Sequence, residues 1–160
     1  MSDFRVAVRR TNEWDGPSML KIYTPYVEKT HYTPDTEVPT LAEYVQRIDT
    51  YTYGRMWILT EINNQTAGFC FLTDRDIPKD DLFSADAQLY VSEKCLHSGV
   101  GTSLYSLMLD IMHYANYRRV TAHINLPNDA AVAFHKKMGF HEVSDCLLYT
   151  SPSPRDRSLS

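Results

Sequence analysis

Apolar and polar residues change their repeat several times along the chain, and each change marks an element. "FRVAVRR" alternates and carries two valines, which predicts a first strand over 4–10. Met19, Leu20, Ile22, Tyr23 and Val27 then recur at helical spacing, in a helix that Thr11 or Asn12 caps and that runs to about Glu28. "THYTPDTEVPT" is a turn-rich loop, and Thr40 caps a second, short helix, "LAEYVQRI", with Glu43 at the reciprocal capping position. "MWILTE" and "TAGFCFL" read as a hairpin joined by "NNQ". After a polar loop from Asp74 to Ser84, "ADAQLYV" is a fourth strand. A helix follows from about Gly101 to Asn116, with Leu104, Leu107, Met108, Ile111 and Met112 as its apolar face. "RVTAHI" is a strand, "AAVAFHKKM" a helix ended by Gly139, and "FHEV" the start of a last strand. This order predicts an α+β (α/β) fold with a mixed sheet. The fourth strand, its helix and the fifth strand form a parallel, right-handed βαβ unit.

Composition changes this picture little. The 160 residues, 43% hydrophobic and 22% charged, suit one domain, assigned here to 1–145. A formal net charge of −4, with Arg9-Arg10 and Arg118-Arg119 as its basic pairs, predicts no nucleic-acid footprint. No apolar run approaches a membrane span and the start lacks a secretory pattern. Three cysteines without framework spacing predict a reducing, cytoplasmic setting. Six scattered histidines predict no metal site.

Candidate chemistry begins at "LHSGVGTSLY", Leu96 to Tyr105, between the fourth strand and its helix. A helix N-terminus after a tight turn offers unpaired N–H groups and the positive end of a dipole, which suits phosphate. Glycine lets a ligand approach the backbone closely. A plain strand–helix turn also accounts for the pattern. No Gly-Lys-Ser/Thr follows and a third glycine is missing, so neither common nucleotide loop fits.

With the turn, four further stretches carry a likeness: "KIYTPYVEKT", "TEVPTLAEYVQRI", "LYVSEKC" and "NLPNDAAVAFHKKMGF". Together they resemble the GCN5-related N-acetyltransferase (GNAT) superfamily, and within it the phosphinothricin acetyltransferase-like proteins. The likeness extends to about Val143. It implies acetyl-CoA as acetyl donor, held through Leu96, His97, Ser98, Gly99, Val100, Gly101, Thr102 and Ser103, with the glycines matching and Leu96 replacing a basic or amide residue. It also implies backbone contacts from Leu89 and Val91 to the pantetheine arm, and a groove shared by Asn128 and His135. The expected reaction is direct attack by the amine of a small molecule, an amino acid or an amino-acid-like antimetabolite, in a ternary complex. Homodimers are usual in the family.

Acetyl transfer needs a base, an oxyanion site and a proton for the leaving thiolate. The resemblance implies Asp86 as the candidate base, where the family often has a glutamate; strand alternation puts it on one face with Gln88 and Tyr90. The resemblance implies His135 as the donor to the thiolate; it lies two helical turns from Asn128. The resemblance also implies Tyr23, Tyr26, His31 and Tyr32 as candidates for the acceptor pocket, because the first helix and its loop cover that end in the family. Each has a structural alternative: Asp86 as a solvated carboxylate, His135 as a surface or core histidine, Asn128 as a helix cap, the aromatics as packing. Acetylation of a protein N-terminus or lysine, or acyl-CoA binding without turnover, are the rival functions.

"CLLYTSPSPRD", Cys146 to Asp156, reads codon for codon as a translated sequencing-library adapter. Residues 146–160 are therefore expected to be non-native and the terminal strand pair incomplete. Re-amplifying the source locus is expected to show different codons after Asp145; a locus that encodes this tail overturns the expectation.

Overall fold

Strand β1 (Val6–Arg10) lies antiparallel to β2 (Trp57–Ile62), with Val6 opposite Ile62. The computed structural model describes residues 5–143 and 148–151. β2 turns into β3 (Gln65–Thr73) through Asn63 and Asn64, at φ 51° and 66°. Two left-handed residues make the tight turn that matches strand twist, and asparagine tolerates that conformation better than most side chains. The predicted "NNQ" hairpin forms on that basis.

The chain divides into two compact units: Met1–Phe71 with Leu89–Tyr105, and Leu72–Gln88 with Ser106–Ser160, each taken over its described residues. β4 (Ser84–Val91) and α3 (Val100–Tyr114) contribute residues to both.

In the first unit, Asn12 caps a short 3-10 turn (Glu13–Asp15) by accepting from Trp14 N at 2.9 Å, and α1 (Gly16–Lys29) follows with proline in its first turn. Met19, Ile22, Tyr23 and Val27 of the predicted stripe are buried. The capping box of α2 (Leu41–Gly54) forms as predicted: Glu43 N donates to Thr40 Oγ1 at 3.2 Å and Thr40 N to Glu43 Oε1 at 3.1 Å. The helix runs six residues past the predicted end, to Gly54. α1 and α2 cover an aromatic core in which Trp57 stacks on Phe71 at 4.2 Å and Tyr90 meets Tyr23 edge-on at 4.9 Å.

In the second unit, β4 and β5 (Arg119–His123) pair in parallel, with Asp86 opposite Thr121, as the βαβ reading requires. α4 (Asp129–Lys137) ends as expected at Gly139, φ 97°, where Phe140 N donates to His135 O (2.9 Å) and Gly139 N to Lys136 O (3.1 Å). β6 (His141–Glu142) pairs with β7 (Leu148–Ser151), which also pairs antiparallel with β5. β7 lies in the segment expected to be foreign; ladder bonds are made by backbone groups, which every residue except proline supplies in full. Residues 144–147 and 152–160 fall outside the described residues. Among the described residues no helix is long and apolar enough to cross a membrane.

One helix face differs from its expectation. The buried stripe of α3 is Leu104, Tyr105, Met108, Leu109 and Met112, whereas Leu107 is 36% exposed. Apolar residues occupy adjacent rows of this helix, so hydropathy alone does not choose between them. Leu109→Ala is expected to lower unfolding free energy by about 2–5 kcal/mol, and Leu107→Gln by less than about 0.5 kcal/mol, both measured by urea denaturation.

Candidate active site

The glycine turn belongs to the first unit. β4 ends at Val91, and Ser92 N donates to Ala67 O at 2.8 Å. A 3-10 turn (Glu93–Cys95) leads to His97 at φ 63° and Gly99 at φ 89°. A Cβ at Gly99 would meet nothing within 4 Å, so glycine is required there by backbone conformation and not by space. Gly101 has the opposite reason: a Cβ would sit 3.3 Å from Val91 Cγ2 and 3.5 Å from Leu89 Cδ2. Glycine lets the first turn of α3 lie against the end of β4. The first helical bond runs from Ser103 N to Gly99 O at 3.0 Å. The N–H groups of Val100, Gly101 and Thr102 thus have no acceptor within the helix, as at any helix start. The Ser98 hydroxyl donates to Cys95 O, closing the turn. Leu96 is half exposed and contributes no polar group.

The second unit holds the titratable candidates. Asp86 is 0% exposed, which removes its reading as a solvated strand carboxylate. A buried carboxylate requires donors. It has them in Thr121 Oγ1 (3.2 Å), Thr73 Oγ1 (3.5 Å) and Nδ1 of His123, at 2.6 Å. Nε2 of His123 lies 3.0 Å from Oδ2 of Asp76. The hydrogen bond to Asp86 raises the His123 pKa above that of an ordinary histidine, more than burial lowers it. His123 is absent from the sequence-based candidates. Its only signal is that it follows Thr121 by two residues, hence shares its face, and the pairing of Thr121 with Asp86 is a tertiary fact.

His135 lies on α4 with Nδ1 2.8 Å from Ala131 O, so Nδ1 carries the hydrogen and donates it. Burial pushes its pKa down, which favours the neutral imidazole. The donor role expected at the thiolate therefore requires His135 to be protonated first, against its burial. Asn128 caps α4, its Oδ1 accepting from Ala131 N at 3.2 Å.

The aromatic candidates, in the first unit, divide. Tyr23 is buried and donates to Asp35 Oδ2 at 2.5 Å, while Arg47 holds both oxygens of Asp35 at 2.7 and 2.8 Å. Tyr23 thus packs in the core and ties α1 to the following loop and α2, the packing alternative given for it. Tyr26 donates to Val91 O at 2.6 Å, so that carbonyl already has one donor. His31 and Tyr32 meet edge-on at 4.7 Å, both exposed. Asp35 and Arg47 each lie twelve residues from a partner, a spacing without a sequence signature.

The Arg47 guanidinium, with the Tyr23 hydroxyl, holds the Asp35 carboxyl below the usual carboxylate range despite its burial. A depressed folded pKa contributes stability above the unfolded pKa and loses it as pH falls through the folded value. Urea unfolding of the parent chain is expected to show stability falling as pH is lowered from 5 towards 2 (on the order of the unfolded carboxylate pKa). Asp35→Asn is expected to start lower and to fall less steeply; parallel curves would remove the pair from the acid sensitivity.

The chain is 24% identical over 135 residues to the phosphinothricin N-acetyltransferase of Streptomyces viridochromogenes, covering 84% of this chain and 74% of that protein. It is 25% identical over 135 residues to the peptidyl-lysine N-acetyltransferase YjaB of Escherichia coli, covering 84% and 82%. Among solved structures, a phosphinothricin acetyltransferase from Sinorhizobium meliloti in complex with acetyl-CoA superposes with a TM-score of 0.80 at 17% identity, covering 92% of this chain and 88% of that one. Residues 17–140 match the acetyltransferase (GNAT) family throughout, from α1 past the glycine turn to the end of α4, and the chain belongs to that family.

Proposed function

We propose that the protein transfers the acetyl group of acetyl-CoA to the primary amine of a small molecule, an amino acid or an amino-acid-like antimetabolite. The amide cradle before α3 carries this reading: three backbone donors follow a glycine whose φ of 89° is required and whose α-carbon faces open space. The donor set suits a pyrophosphate, a diffuse dianion, better than a single carboxylate. Val100, Gly101 and Thr102 would hold it through N–H groups, with the hydroxyls of Thr102 and Ser103 adjoining. Leu89 and Val91, immediately upstream on β4, would offer backbone groups to the pantetheine arm. Asp86 supplies the fixed negative charge for proton removal. His135 and Asn128 are the α4 residues for the thiolate end. Tyr26, His31 and Tyr32 are the candidates for contact with the acceptor. The likeness to phosphinothricin N-acetyltransferases supports a small amine as acceptor. The comparable likeness to a peptidyl-lysine N-acetyltransferase supports a lysine side chain as the second reading. The family resemblance extends the proposal to a cytoplasmic homodimer.

Thermal shift with acetyl-CoA, CoA and inorganic phosphate tests the cradle. Acetyl-CoA and CoA are expected to raise the melting temperature and phosphate alone is not. Gly99→Ala should weaken acetyl-CoA about tenfold or more, since a side chain at this φ costs on the order of 1–3 kcal/mol. CoA release over a panel of phosphinothricin, free amino acids and lysine peptides then separates the acceptors. No stabilisation by either CoA species overturns the reading.

A further inference from the structure

Asp86 has the position expected of a base and the surroundings of a group that never meets substrate. It is 0% exposed, and its oxygens face Thr121, Thr73 and His123. His123 bonds to Asp86 through Nδ1 and keeps 9% of its side chain exposed, with Nε2 directed at Asp76, a carboxylate 76% exposed. A buried carboxylate, an imidazole that it orients through Nδ1, and an Nε2 turned outward form a base with its orienting group. We propose that Nε2 of His123 receives the proton of the acceptor ammonium, that Asp86 orients and electrostatically supports the imidazole, and that Asp76 passes the proton to water. This rests on the acetyl-transfer reading above.

The inventory of hydrogens explains the third member. A neutral imidazole has one N–H, and the two carboxylates flanking His123 call for two. The arrangement with both contacts made, at 2.6 and 3.0 Å, is that of the imidazolium, the state after proton uptake. In the neutral state Asp86 keeps the Nδ1 hydrogen, and Nε2 and Asp76 become two facing acceptors. Asp76 is the exposed member, on the loop between β3 and β4, and it is the one that withdraws. Nε2 then faces outward as an acceptor. The groups charged or titratable around His123 are Asp86 on β4 and Asp76 and Arg75 on the loop, the arginine opposing the carboxylates; the hydroxyls of Thr121 and Thr73 complete the Asp86 site. His135 on α4 senses the same Asp86 charge.

The step balances. The ammonium gives one proton to Nε2, and the freed lone pair forms the N–C bond to the acetyl carbonyl. The C–S bond breaks with its electron pair on sulfur, and the thiolate takes the second proton of the attacking nitrogen. His123 returns the first proton to water through Asp76. One proton is released per amide formed.

His123 must be neutral to act, so kcat/KM is expected to fall as pH drops through its raised pKa. The test is the pH profile of kcat/KM for the parent, His123→Gln, His123→Ala and Asp86→Asn, with the amine that the panel identifies. His123→Gln is expected to lose about 100-fold in kcat/KM along with the acidic limb, with the KM for acetyl-CoA unchanged. Free imidazole is expected to restore part of the activity of His123→Ala. Asp86→Asn is expected to keep the limb, moved to lower pH. If Asp86→Asn abolishes the limb while His123→Gln keeps it, Asp86 is the base and the proposal fails. Nitrogen-15 NMR of the imidazole is the second measurement, and it stands if the variants are inactive. Titration of His123 above an ordinary histidine, lowered in Asp86→Asn, supports the proposal, and a titration unchanged by that substitution overturns it. Turnover by the parent with an unimpaired His123→Gln sinks this inference alone; no turnover by the parent on any amine sinks the acetyl-transfer reading with it.

Discussion

A carboxylate without exposed surface dictates what surrounds it. Asp86 sits on β4 at 0% exposure, and an ionised group there is tolerable only with donors in place. Parallel pairing with β5 brings Thr121 directly opposite, and the next residue on the same face, His123, reaches the same oxygen. Breaking one member of such a set leaves a buried charge without compensation, which costs more than the bond itself is worth. The strand and its partner are thereby held to one arrangement.

The other end of the same strand follows a different rule. At Gly68 a Cβ would meet Tyr90 O at 3.1 Å and Val100 Cγ1 at 3.2 Å, and at Gly101 it would meet Val91 Cγ2 at 3.3 Å. Neither glycine is there for flexibility. Both remove a side chain so that backbone segments approach closely, while Gly99 answers a conformational demand. Within the first unit β4 thus ends against β3 and beneath the first turn of α3, with its backbone close to the amide cradle. Stability at this end comes from close approach and from the aromatic core under α1 and α2, while in the second unit satisfied charge adds to the buried apolar face of α3.

The two histidines show how the same residue type is set to opposite tasks. His135 bonds to a carbonyl and is half-buried, and desolvation lowers its pKa towards the neutral form. His123 bonds to a carboxylate and its charged form is favoured. The family resemblance drew attention to His135, and nothing comparable marked His123.

Local patterns legible in the chain were those whose cause is local. The "NNQ" hairpin, the capping box of Thr40 and Glu43, the stop at Gly139 and the stripe of α1 each depend on residues within one or two turns of each other. The glycine turn was legible for the same reason, as a strand, two glycines and a helix in sequence. What the sequence left undecided depends on partners that are distant along the chain. Leu107 against Leu109 was settled by which side of α3 is covered, and Tyr23 by Asp35 and Arg47. Asp86 could be read as base or as surface carboxylate, because its burial comes from Thr73, Thr121 and His123, 13, 35 and 37 residues away. Periodicity encodes which face a residue occupies; only the folded pairing of β4 with β5 decides what that face meets, and with it the charge that each group carries.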